Sequence, residues 1–153
     1  MAVQRMDNVG IVVEDMDAAI AFFEAIGLEL EGRGTFEGPW MERTIGLDGA
    51  KCEIGMLRVP GGGGRVELSR FLSPVASDNG ANHEPVNTLG YLRVMFAVDD
   101  LDGVVARLER LGAKLVDSIV NYENVYKLCY MRAAEGFLVG LAQDLAQDLA
   151  PAT

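Results

Sequence analysis

Few side chains in this sequence combine a reactive type with a reactive setting. His83 is the only histidine. It stands in the polar stretch "GANHEPVN", with no neighbour to make a triad or a metal site, so it is expected to be solvent-exposed. Cys52 and Cys129 are far apart, form no CxxC pair and lack a basic neighbour. Neither a zinc site, a disulfide framework nor an activated thiol is indicated, and both are expected to be buried thiols. The run "PGGGG" at 60–64 carries no Lys-Ser or Lys-Thr and leads into a strand rather than a helix, so it reads as a turn and not a phosphate cradle. Two other polar residues, Asn8 and Arg93, occupy matching places. Each stands immediately before one of two similar stretches.

Those stretches are "VGIVVEDMDAAIAFFEAIGLEL" from Val9 and "VMFAVDDLDGVVARLERLGAKL" from Val94. At a constant offset of 85, positions 9–30 and 94–115 align without a gap, with identities at eight of 22 positions. This is a duplicated supersecondary unit. Each copy begins β-branched and strand-like, then meets Asp15 or Asp100 as a helix N-cap, with Asp17 or Asp102 in the first turn, where the helix dipole favours an acid. Ala19, Ile20, Phe22, Phe23 and Ile26 recur at helical spacing, as do Val104, Val105, Leu108 and Leu111. Gly27 and Gly112 provide the stops. Three strands are predicted after each helix: "LELEGRGTF", "AKCEIGMLRV" and "RVELSRFL", then "AKLVDSIVNY", "VYKLCYM" and "GFLVGLAQ". The order is βαβββ, twice, with "PGGGG" and "RAAEG" (132–136) as matching turns before the last strands.

Matching "VEL" at 66–68 to "VGL" at 139–141 lowers the offset to 73, so the first module carries 12 extra residues, assigned to the polar insert "EGPWMERTIGLDG". A single domain over 1–153 is expected, made of modules 5–74 and 89–145 and joined by a Pro-, Asn- and Ser-rich surface linker at 73–88. The duplicated "AQDL" of the tail reads as a strand end running into a helical turn.

Half of the 153 residues are apolar, enough for a core. Thirteen Lys and Arg against 23 Asp and Glu leave a net charge of −10, which argues against nucleic acid and anionic membrane partners. The apolar runs fall well short of the roughly 20 residues needed to cross a bilayer. The first residues lack the layout of a secretory signal. A soluble cytoplasmic protein is expected.

Paired βαβββ modules, the openings "MDNVGIVVEDMDAAIAFF" and "RVMFAVDDLDGVVARL", the strand "RVELSRFLSP" and the ending "EGFLVGLAQ" together resemble the vicinal oxygen chelate superfamily. That group contains glyoxalase I, bleomycin-resistance proteins and extradiol dioxygenases. The resemblance covers about residues 5–145. It implies an α+β fold in which two tandem modules form a partly open, curved-sheet barrel, with a ligand in the concave cleft and two chains in a homodimer. In metal-dependent members the ligands lie on the first and last strand of each module. Carried onto this sequence, those positions are Asn8, Glu67, Arg93 and Gly140, and only Glu67 is a typical metal ligand. Strand alternation agrees. If Val9, Ile11 and Val13 face the helix, then Asn8 faces the cleft. Arg93 and Met95 do so in the second copy, as do Glu67, Ser69 and Phe71 on the other strand.

One carboxylate and one amide fall short of the three or more protein ligands usual at a catalytic transition-metal site. Beside a guanidinium, a doubly charged ion about 4 Å away would meet about 8 kcal/mol of repulsion at an effective dielectric of about 20. The expectation is therefore no cofactor, with Arg93 in the metal's electrostatic place, pairing with Glu67. That describes a metal-independent protein that binds or sequesters an unidentified small molecule. Trp40, Met56, Phe71, Met95, Tyr122, Tyr126 and Tyr130 are candidate lining residues, with core packing as the competing role of each. Trp40 stands out because it lies in the polar insert. The alternative is a lyase, isomerase or dioxygenase on the same scaffold. It would be metal-free with Glu67 as general base and Arg93 steadying a developing anion, or would use a metal site that the sequence does not reveal. An interaction domain with a closed cleft is a third reading.

Overall fold

Asp15 opens the first helix as its type and place predict: its side chain accepts from the Ala18 backbone N–H at 3.0 Å. Asp100 does the same for Gly103 at 3.0 Å. These repeated caps set the frame of a computed structural model that describes residues 5–78, 80, 83–90 and 93–146. The chain divides into two compact units, Met1–Asn79 and Gly80–Thr153.

In the first unit, β1 (Asn8–Val12) leads into α1 (Met16–Ile26), then β2 (Glu29–Glu37), α2 (Pro39–Ile45), β3 (Lys51–Arg58) and β4 (Arg65–Ser73). The sheet order is β1-β4-β3-β2, with β1 parallel to β4 and the other pairs antiparallel. α1 ends at Gly27, whose φ of 121° suits a residue without a Cβ. It buries Met16, Ala19, Ile20, Phe22, Phe23 and Ile26. The sheet answers with Val66, Leu68 and Leu57, all buried. Gly55 lets the helix sit close, since a Cβ there would lie 3.0 Å from Met16 Sδ.

The second unit repeats the plan with β5 (Arg93–Ala97), α3 (Leu101–Arg110), β6 (Lys114–Leu115), β7 (Val120–Tyr122), β8 (Tyr126–Arg132) and β9 (Leu138–Asp144). Its order is β5-β9-β8-β6, with β7 also pairing β8 and β5 parallel to β9. Leu101, Val104, Val105 and Leu108 of α3 are buried, as are Val139, Leu141 and Met131 of the sheet. The repeated first-turn acids tie each helix to its own sheet. Asp17 pairs with Arg33 of β2 at 2.5 Å, and Asp102 pairs with Lys127 of β8. The α+β class with two βαβββ modules is as expected, and each sheet has open ends rather than closing on itself.

Two local expectations need correction, and the polar insert adds an element: it contains a helix, with Pro39 in its first turn and Gly46, left-handed at φ 69°, as its stop. Its seven residues bury only Met41, too little for an apolar periodicity to register. The predicted strand 113–122 breaks into β6 and β7, because residues 116–119 swing out as a loop. Leu111 is not core: α3 stops before it, and it is 44% exposed. The turns at 60–64 and 132–136 lie where predicted, closed by Val59 N–H to Gly64 and Ala133 N–H to Phe137. Of the "AQDL" duplication, the strand ends at Asp144 and turns at 145–146, and residues 147–149 lie outside the described residues.

Candidate functional site

Strand alternation decides which side chains are free to meet a ligand. In each sheet one face is sealed by its long helix, and the other carries the polar candidates.

On the helix-free face of the first unit, Glu67 of β4 lies in one row with Gly10 of β1, Met56 of β3 and Gly32 of β2. A Cβ at either glycine would meet nothing within 4 Å, so the row is open at Gly10, directly beside the carboxylate, and again at Gly32, beyond Met56. Asn8 reaches it from β1, its Nδ2 donating to Glu67 Oε2 at 3.4 Å. One end of this face is roofed by α2, where Met41, Ala50 and Cys52 pack with Ile54 and Phe71. Phe71 therefore belongs to a small core there. Trp40, on the same helix, is 58% exposed.

The corresponding row in the second unit runs Met95 of β5, Gly140 of β9 and Tyr130 of β8. Small and large have changed places relative to the first unit. A Cβ on Gly140 would lie 2.7 Å from Met95 Cε and 3.3 Å from Tyr130 Cε1, so those two side chains occupy the space above the glycine. The Arg93 guanidinium lies 4.8 Å from the centre of the Tyr130 ring, a cation–π contact. Tyr126 shares the face of Tyr130, four residues along the same strand. Tyr122 stands opposite Tyr126 across a tight turn at Glu123 and Asn124, whose φ values of 51° and 56° are those of a hairpin turn. Beside this row a cavity of about 370 Å³ is lined by Met95, Val116, Asp117, Ser118, Val120, Leu128, Cys129 and Tyr130. Asp117, Ser118 and Val120 escaped sequence reasoning because they fall where an unbroken strand was expected.

His83 is exposed, and Cys52 and Cys129 are buried, as expected. Burial pushes the Cys52 thiol up, a hydrogen bond with Ser69 pulling the other way. Burial raises Cys129 to about 11. Both are protonated near neutral pH and poor nucleophiles.

The residue-level match is with a known family. The sequence fits the family model of the glyoxalase/bleomycin resistance protein/dioxygenase superfamily over residues 7–130, and the chain belongs to that superfamily. A crystal structure of a glyoxalase family protein from Bacillus cereus is 54% identical to it, with a TM-score of 0.90 over 95% of this chain and 99% of that one. The Bacillus subtilis (strain 168) protein YwbC is 24% identical over 137 residues, 87% of this chain and 92% of that protein. TnmS3, an antibiotic binding protein from a Streptomyces species, shares the fold at 20% identity and a TM-score of 0.60, covering 94% of this chain and 98% of that one.

By the family resemblance, metal-dependent members carry their ligands at the positions of Asn8 and Glu67 in the first unit and of Arg93 and Gly140 in the second. The side chains present do not fit a divalent ion. Arg93 brings a positive charge and no lone pair, Gly140 brings no side chain, and Met95 and Tyr130 fill the room a donor would need. Among the described residues no three His, Cys, Asp or Glu side chains converge as a metal cluster. No helix among them is long and apolar enough to cross a membrane.

Proposed function

We propose that this protein is a metal-independent small-molecule-binding member of its superfamily, one that holds or sequesters its ligand. The observation that carries the reading is the exchange at the second unit's two family positions. A guanidinium over an aromatic ring and a glycine overlaid by Met95 and Tyr130 stand where donors would be needed. What remains is an apolar cavity edged by a few polar groups, the usual composition of a small-molecule site. The fold it shares with an antibiotic binding protein is in keeping with this role. The reading includes a homodimer as the working assembly.

The test is metal content followed by ligand response. The purified protein is expected to carry well under one equivalent of Ni, Zn, Fe, Mn or Mg per chain, and chelator is expected to leave its Tm unchanged. Stoichiometric metal would overturn the reading. A thermal-shift screen then spans cationic glycopeptides, glutathione adducts and acyl-CoA esters, since a ligand at 100 times its Kd adds about 2.7 kcal/mol to stability.

One observation favours a second reading, a metal-free lyase or isomerase. The Asn8 amide donates to the half-buried Glu67 carboxylate, which has open space beside it over Gly10, a suitable setting for a general base. Glu67→Gln would then abolish turnover and leave binding intact, whereas under the first reading there is no turnover to lose.

A further inference from the structure

The cavity of the second unit has a charge preference that the family positions do not reveal. Most of its wall is apolar: Met95, Val116, Val120, Leu128 and the Tyr130 ring. Cys129 contributes no charge, its thiol being held protonated by burial. Arg93 lies over the Tyr130 ring and is not part of the wall. Asp117 is the one Asp, Glu, Lys or Arg residue in the lining. Its Oδ2 accepts from Ser118 Oγ at 2.9 Å, which steadies the carboxylate, and no ion pair among the described residues neutralises it.

A mainly apolar cavity with a single, solvent-exposed carboxylate in its lining suits a ligand with an apolar body and one cationic group. We infer that this cavity takes a small aromatic or aliphatic amine, its body against Met95, Val120 and Leu128 and its ammonium on Asp117. The inference rests on the binding-protein reading and names the ligand class for it. A volume of about 370 Å³ lies at the low end of the roughly 300–1,000 Å³ typical of small-molecule sites, so a single ring or short branched chain fits better than a large drug. The net charge of −10 works in the same direction by concentrating cations near the surface. Asp117 sits on the loop that interrupts the predicted strand 113–122. That break supplies both the space and the charge.

The experiment compares three probes of nearly equal size by calorimetric or NMR titration: 2-phenylethylamine, 2-phenylethanol and 3-phenylpropionate. The amine is expected to bind about fivefold more tightly than the alcohol, the upper range for an exposed ion pair, and the carboxylate most weakly. Asp117→Asn should bring amine and alcohol to the same affinity. Val120→Trp, a change at a half-exposed position, should block both by filling the cavity. The assignment is overturned if the carboxylate binds as well as the amine, if Asp117→Asn keeps the preference, if Val120→Trp leaves binding unchanged, or if none of the probes binds. Metal analysis of the same samples judges the parent reading separately. Stoichiometric metal would sink that reading whatever the probes do, and loss of the amine preference in a metal-free protein would sink only the ligand class.

Discussion

Gly140→Ala offers the sharpest check on how the second unit is built. In an ordinary strand, adding a methyl group to glycine stabilises by about 0.5–1 kcal/mol, because the unfolded chain loses freedom. Here the new Cβ would lie 2.7 Å from Met95 Cε and 3.3 Å from both Met95 Cγ and Tyr130 Cε1. Met95 is 48% exposed and its Cε is the free end of a flexible side chain, so it can swing aside at about 0.5–1.5 kcal/mol while the Tyr130 ring gives slightly. The expected balance is close to zero, the usual gain being cancelled. Met95→Ala removes Cγ and Cε together. In that background Gly140→Ala should become a gain of about 0.5 kcal/mol, a coupling of about 0.5 kcal/mol between the two sites. Urea denaturation of the four proteins measures it. Equal effects of Gly140→Ala in both backgrounds would refute the claim that Met95 occupies the donor position, and with it the main support for a metal-independent site.

Three further outcomes follow from named contacts. Cys129 has a folded pKa raised to about 11 by burial, against about 8.5 for a free thiol, so the folded state holds its proton longer. Its contribution to stability should be fully present below about 8.5 and be lost as pH climbs through about 11, so Cys129→Ala should flatten the urea midpoint across that window relative to the parent protein. In α3, a Cβ on Gly103 would lie 2.0 Å from Asp100 Oδ2, the capping carboxylate. The matching position in α1 is Ala18, whose N–H Asp15 caps all the same, so the Asp100 carboxylate has only to rotate; Gly103→Ala should keep the cap and stabilise by up to about 1 kcal/mol, and thermal melts with and without Asp100→Ala decide. Arg93→Ala should remove about 0.5–1 kcal/mol of cation–π stabilisation, read from the urea midpoint; an unchanged midpoint would refute the stacking on Tyr130.

Much of this was legible from residue order. The repeated Asp caps, the helical spacing of apolar residues and the period-two strands define two βαβββ modules, because each depends on contacts within a few residues or on simple alternation. Alternation also placed Asn8 and Glu67 on one face of their sheet, and Arg93 and Met95 on one face of theirs. It left open which face Tyr126 and Tyr130 share, which pairing with β7 and β9 resolves. The insert was opaque because a seven-residue helix with one buried side chain leaves no periodic signal. Phe71 could not be told apart as core or lining until α2 was seen to roof it.

Residue order alone sets the modules, their caps and turns, and the residues at the family positions, since these follow from local propensity and a duplicated pattern. What surrounds those positions depends on packing between strands. The fill above Gly140, the stacking of Arg93 on Tyr130 and the cavity beside Asp117 arise from side chains on different strands and on a loop, and no local pattern encodes the distances between them.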